Sequence, residues 1–149
     1  VHTNDAAGAI TRLLDMGVEN YLISSAVLGV LAQRLVRVIC KKCIEPTKVS
    51  KTLIAEMGTY DQEEMKTFHG KGCKECSHTG FRGRAGIYEL LVVDDAIRQL
   101  ILDKSTAQII RETARNKGMT TLREDGWKKV ADGITTVEEV LRVTLNEQT

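Results

Sequence analysis

Cys40-Lys41-Lys42-Cys43 and, later in the chain, Cys73-Lys74-Glu75-Cys76 hold all four cysteines of the sequence in two C-x-x-C pairs. A C-x-x-C on a tight turn aims two sulfurs at one point, and two such knuckles complete the tetrahedron that Zn2+ accepts. Two disulfides, or thiols that only pack, are the other readings of this spacing. Magnitudes favour the metal. Closing the intervening loop of about 30 residues costs on the order of 3 kcal/mol, whereas a structural zinc site supplies roughly 10 to 16. Residues 40–78 are therefore expected to form a four-cysteine zinc-binding insert held by Cys40, Cys43, Cys73 and Cys76, with Lys41, Lys42 and Lys74 offsetting the thiolate charge. His69 and His78 flank the second knuckle and are available as substitute ligands.

Ahead of the first knuckle, residues 26–39 are apolar and β-branched nearly throughout, and part of this run is expected to be a buried strand leading to the knuckle, with Gln33 and Arg34 as polar interruptions. Further back, Ala6, Ala9, Ile10, Leu13 and Leu14 have the spacing of an amphipathic helix that Gly17 stops, and a short helix is expected over 19–24. Between the knuckles the chain is polar, with a helical stretch near 49–57, an acidic patch at Asp61, Glu63 and Glu64, and Pro46 as a stiff exit from the first turn. After Cys76, residues 79–86 read as a flexible glycine-rich turn and 87–93 as a strand. The rest predicts helices. Asp94 caps one, Ser105 with Gln108 the next, Thr121 with Glu124 a third and Thr136 with Glu139 the last, and their apolar faces, including Trp127, Val130, Val137, Val140 and Leu141, call for mutual burial in a C-terminal helical bundle.

Composition sets outer bounds. In 149 residues, 42% hydrophobic and 28% charged content is that of a globular chain, and no apolar run approaches the roughly 20 residues of a membrane span. The net charge of +1 gives no global basic field for nucleic acid, although Arg34, Arg37, Lys41, Lys42, Lys48 and Lys51 form a local basic segment, read as a solvated, zinc-balancing face. The thiol pattern suggests a reducing compartment. No G-x-x-x-x-G-K-[ST] phosphate loop occurs. The chain begins at Val1 rather than Met, so part of a longer protein is expected.

Six stretches carry a family likeness: His2-Thr3-Asn4-Asp5-Ala6; Gly8-Ala9 with Arg12-Leu13-Leu14-Asp15-Met16-Gly17; Gln33-Arg34-Leu35-Val36-Arg37; the paired C-x-x-C; Gly83-Arg84-x-Gly86-x-Tyr88-Glu89; and Asp125-Gly126 through Thr135-Thr136-x-Glu138-Glu139-Val140-Leu141-Arg142-Val143-Thr144. In that order they resemble the secretion ATPases of bacterial type II secretion and type IV pilus assembly. The spacing of the knuckles and the final stretch look more like the general secretion pathway protein E branch. The resemblance implies an α/β fold of RecA-like type. Residues 1–39 and 79–93 would form the second half of the ATPase core, 40–78 the zinc insert and 94–149 a C-terminal helical subdomain. It also implies ATP and Mg2+ as ligands of the full-length protein, a homo-hexamer, and a cytoplasmic location against inner-membrane platform proteins, where ATP hydrolysis drives assembly of a pilus-like fibre.

By the same resemblance His2 sits near the terminal phosphate of the nucleotide, where an imidazole senses it through a hydrogen bond. Arg12 and Arg84 carry planar, permanently charged groups suited to phosphate or to an acidic partner across a subunit boundary, with structural salt bridges as the competing reading. Arg98 matches a motif of the pilus retraction ATPases or is a simple helix-face cation. The fragment alone, lacking the phosphate loop, is expected to be inactive. Two other functions fit the thiols: a zinc-ribbon adaptor binding protein or nucleic acid through the basic segment, which has few aromatics to stack on bases, and a thiol redox protein.

Overall fold

The computed structural model describes residues 1–56 and 66–144. Its elements are α1 (Ala6–Asp15), α2 (Asn20–Ala26), β1 (Gly29–Ile39), β2 (Ile44–Thr47), α3 (Lys51–Glu56), β3 (Thr67–Gly70), a 3-10 turn (Lys74–Cys76), β4 (Phe81–Val92), α4 (Asp95–Leu102), α5 (Ala107–Asn116), α6 (Leu122–Ala131) and α7 (Val137–Thr144). The architecture is mixed α/β. β1 pairs with β4, and β2 with β3, in two separate two-stranded sheets. The described residues fall into two compact units, 1–33 with 88–122, and 34–56, 66–87 and 123–144. The acidic patch at Asp61, Glu63 and Glu64 lies outside the described residues.

The first unit is a helical layer on the 88–93 end of β4. α1 forms where the periodicity predicts it. Asp5 accepts the Gly8 N–H at 2.8 Å as N-cap, and Gly17, at φ 90°, takes the left-handed turn that a side chain resists. Ala6, Ala7 and Ile10 pack with Ile23, Leu91, Val93, Ile97, Ile101, Ile110 and Ala114. Each fully buried Ile or Leu here contributes roughly 1.5 to 3 kcal/mol. Asp94 caps α4 through the Ile97 N–H at 3.0 Å, as its position predicts. The cap of α5 is Thr106, whose hydroxyl accepts the Ile109 N–H at 3.3 Å, rather than Ser105. The shift follows from Lys104, at φ 53°, which closes the preceding turn so that Thr106 is the extended residue facing the helix start.

Two strand expectations need correction. β1 is not buried on both faces: Leu31 is 62% exposed and Leu35 48%. Among the described residues β4 is the one strand beside β1, so β1 alternates between faces, and the apolar run of its sequence hides that alternation. The glycine-rich segment is not a flexible turn either, since β4 already begins at Phe81. Gly83 stands inside this strand at φ 84°, a left-handed conformation that glycine adopts without strain. Pro46, expected as a turn exit, instead stands in β2 opposite Phe68, where an edge strand tolerates its missing N–H.

In the second unit Trp127, Val130, Val137, Val140 and Leu141 bury one another as their spacing predicts, and Val49 and Leu53 pack against them. α7 opens as expected, with the Glu139 N–H donating to Thr136 Oγ1 at 3.2 Å. Gly126 lets α6 approach α7 closely, because a Cβ there would stand 2.5 Å from Val140 Cγ1.

Candidate functional site

Cys40 follows the last residue of β1, Cys43 precedes β2, and Cys73 and Cys76 bracket and close the 3-10 turn. The four Sγ atoms lie within 4.8 Å of one another. Cys40 to Cys73 is 3.8 Å, Cys43 to Cys76 3.9 Å and Cys73 to Cys76 3.8 Å. A tetrahedron with metal–sulfur bonds near 2.3 Å has edges of about 3.8 Å, so the donor set fits a four-coordinate ion of zinc's size. The cysteines are free, at separations far beyond the roughly 2.05 Å of a disulfide. The four are positioned to bind a metal ion.

Backbone geometry aims these sulfurs. The N–H of Gly72 donates to Cys43 Sγ, and those of Cys73 and Gly80 donate to Cys76 Sγ, each at 3.3 Å. The second knuckle turns through Ser77 and His78, both left-handed at φ 54° and 61°. Gly70 and Gly80 face each other so closely that a Cβ on Gly70 would fall 2.1 Å from the Gly80 carbonyl oxygen, which makes glycine obligatory there. Burial raises the Cys76 thiol, but the N–H bonds from Cys73 and Gly80 outweigh it and hold the group down at about 6. Burial pushes Cys43 up to about 12 against the Gly72 N–H. The Cys76 thiolate thus forms readily, whereas the Cys43 thiol resists ionising without a cation to share. His69 is engaged elsewhere, its Nε2 lying 2.8 Å from Glu45 Oε1 across the β2–β3 pair.

The other residues singled out in the sequence are dispersed. His2 is exposed ahead of α1, and Arg12 is exposed in the last turn of the same helix, at its opposite end. Arg84 is exposed on β4 in the second unit. Arg82 pairs with Glu75 at 2.8 Å, and Arg98 with Asp95 at 2.9 Å on one helix face. Arg37 of the basic segment is structural: its guanidinium lies 4.1 Å over the Phe81 ring and bonds to Glu139.

Sequence reasoning missed the buried carboxylates. Glu89 is 2% exposed, accepting the Ala6 N–H at 2.8 Å and the Leu122 N–H at 3.3 Å. Burial raises its carboxyl above the usual range, with the Ala6 N–H opposing. Asp5 is also buried, with Arg111 as its ion partner. A signal was present: Ile87, Glu89 and Leu91 share one face of β4, and a carboxylate between two core positions has to be bonded.

The chain matches the family model described as "Type II/IV secretion system protein" over residues 1–142. It is 53% identical to a "Type II secretion system protein E" of Pseudomonas aeruginosa, over 99% of this chain and 29% of the relative. It is 50% identical to a "Type IV pilus assembly ATPase PilB" of Thermus thermophilus, over 97% of this chain and 16% of the relative. A "Type II secretion system ATPase E" of Vibrio cholerae is 47% identical over 97% of this chain and 28% of its own length. The chain thus spans less than a third of the relatives it matches. Among the described residues no helix is long and apolar enough to cross a membrane. The paired cysteine knuckles and the His2 to Ala6 stretch lie within the matched span, and the chain belongs to the type II/IV secretion system protein family.

Proposed function

We propose that this chain is the C-terminal portion of a hexameric secretion ATPase, cytoplasmic and peripheral to the bacterial inner membrane, that couples ATP hydrolysis to assembly of a pilus-like fibre. The observation that carries this reading is similarity over nearly the whole chain to secretion and pilus assembly proteins, two of them named as ATPases. In such a motor, most phosphate charge is neutralised by a phosphate loop, its lysine and Mg2+. No such loop occurs in these 149 residues, so the chain's contribution is different. His2 reports the terminal phosphate, and Arg12 and Arg84 offer charge to nucleotide or to a neighbouring subunit.

The cysteine cluster has a structural role in this reading. Zinc, when bound by Cys40, Cys43, Cys73 and Cys76, fixes two knuckles and leaves no coordination position open for chemistry. ATP turnover measured on the full-length protein and on this isolated chain tests the proposal. Turnover is expected from the first and none from the second. Hydrolysis by the purified 149-residue chain, or its absence from the full-length hexamer, contradicts the reading.

A further inference from the structure

Glu89 and Asp5 lie in one buried cluster at the start of α1. Glu89 Oε2 takes the N–H of Ala6, the first residue of the helix, while Oε1 takes the N–H of Leu122. Asp5 Oδ1 takes the Gly8 N–H, and Oδ2 takes the guanidinium of Arg111. Thr3 Oγ1 donates to the Asp5 carbonyl at 2.9 Å, so the turn leading back to His2 is tied to the same cluster. From Asp5 to His2 the chain reaches at most about 10 Å, so fixing Asp5 limits where the imidazole stands. A helix start already capped by Asp5 and packed through Ala6, Ala7 and Ile10 has no need of a second buried carboxylate, which is costly to desolvate. What Glu89 adds is location, because it pins the first peptide of α1 to the strand beneath.

We propose that Glu89 and the Asp5–Arg111 pair are positioning residues for His2, holding the turn before α1 so that the imidazole meets the terminal phosphate. This rests on the nucleotide-sensing role assigned to His2 above. Gln at position 89 keeps the shape but turns an amide N–H toward one of two backbone N–H groups, so one anchoring bond is lost.

The test is a double-mutant cycle in the full-length hexamer, reading kcat and the KM for ATP. Glu89→Gln and Asp5→Asn are each expected to lower kcat about tenfold to a hundredfold, as misplacement of a reacting group does, with the KM for ATP little changed. In a His2→Ala background Glu89→Gln is expected to add no more than about twofold, since both changes act through one imidazole. Losses that multiply, an effect on KM alone, or wild-type kcat in Glu89→Gln overturn the positioning role. If His2→Ala itself lowers kcat, such a result leaves the phosphate reading standing. His2→Ala at wild-type turnover removes that reading and this proposal together. Should Glu89→Gln fail to fold, Asp5→Asn, which keeps a capping oxygen, is judged by the same cycle.

Discussion

Glu139 of α7 holds Arg37 of β1 through three hydrogen bonds. Its Oε2 accepts the Arg37 backbone N–H at 2.9 Å, and Oε1 accepts Nε at 3.0 Å and Nη2 at 2.9 Å. Arg142 adds a second guanidinium from one helical turn along, at 2.9 Å. The Glu139 side chain is only 3% exposed, so one carboxylate joins strand and helix out of reach of water.

Acid should release this clamp. Burial pushes the Glu139 carboxyl up, but the bonds from Arg142 and Arg37 outweigh it and hold the group at about 2, against an ordinary 4.5. A carboxyl lowered on folding stabilises the folded state above its unfolded pKa and loses that contribution as pH falls toward the folded one. Between roughly pH 4.5 and 2 the chain should lose on the order of 3 kcal/mol from this group. Urea midpoints measured across that window should fall in the wild type and flatten in Glu139→Gln. Equal slopes in the two proteins would rule the clamp out as an acid-sensitive contact.

Gly126 lies inside α6, where alanine ordinarily favours a helix by about 1 kcal/mol. Gly126→Ala should nevertheless destabilise the chain by roughly 1 to 3 kcal/mol, because the new methyl would meet the stiff side chain of Val140 at 2.5 Å. In a Val140→Ala background the same Gly126→Ala change should cost less, because the methyl groups it meets are gone. A Gly126→Ala protein melting at or above the wild-type temperature would refute the close approach.

Local rules and metal spacing made much of this legible. The cysteine knuckles, the caps at Asp94 and Thr136 and the face formed by Trp127, Val130, Val137 and Val140 depend on near neighbours, and each stands where its pattern places it. β3 and the start of β4 were hidden because Thr67–Gly70 and Phe81–Gly86 lack the alternation of a strand. Residues 67–70 are extended because 44–47 lie opposite them, and such pairing is invisible to a local reading. Glu89 was missed because its partners, the N–H groups of Ala6 and Leu122, come together only in three dimensions.

Metal removal should act first on the knuckles. The protein should carry one zinc per chain, and strong chelation should speed amide exchange at Gly72, Cys73 and Gly80, whose N–H groups point at sulfur, before it reaches the Trp127 and Val140 core. Cys73→Ser should lower zinc content and give the same exchange pattern without chelator. Zinc-free protein with unchanged protection at those amides would show that the thiols pack without a metal.

Arg12 and Arg84 give the sharpest test of the proposed nucleotide-linked role. Both are exposed, they belong to different compact units, and exposed cations contribute little to stability. Arg12→Ala and Arg84→Ala should therefore fold, retain zinc and melt close to the wild type. If either guanidinium meets transferring phosphate, turnover of the proposed full-length ATPase should fall by about tenfold or more, since an arginine supplied across a boundary is worth roughly 10³ to 10⁵ in related phosphoryl transfer. An arginine that reaches a neighbouring subunit has a further consequence. Mixing the Arg84→Ala protein with a variant disabled in its nucleotide-binding loop should regain activity, because one boundary in the mixed ring then combines an intact loop with an intact arginine. The same mixture made with Arg12→Ala reads that residue separately. Reduced turnover without rescue, in rings that assemble normally, places the arginine within its own subunit. Undiminished turnover in both single variants would leave them as surface cations and withdraw them from the nucleotide site.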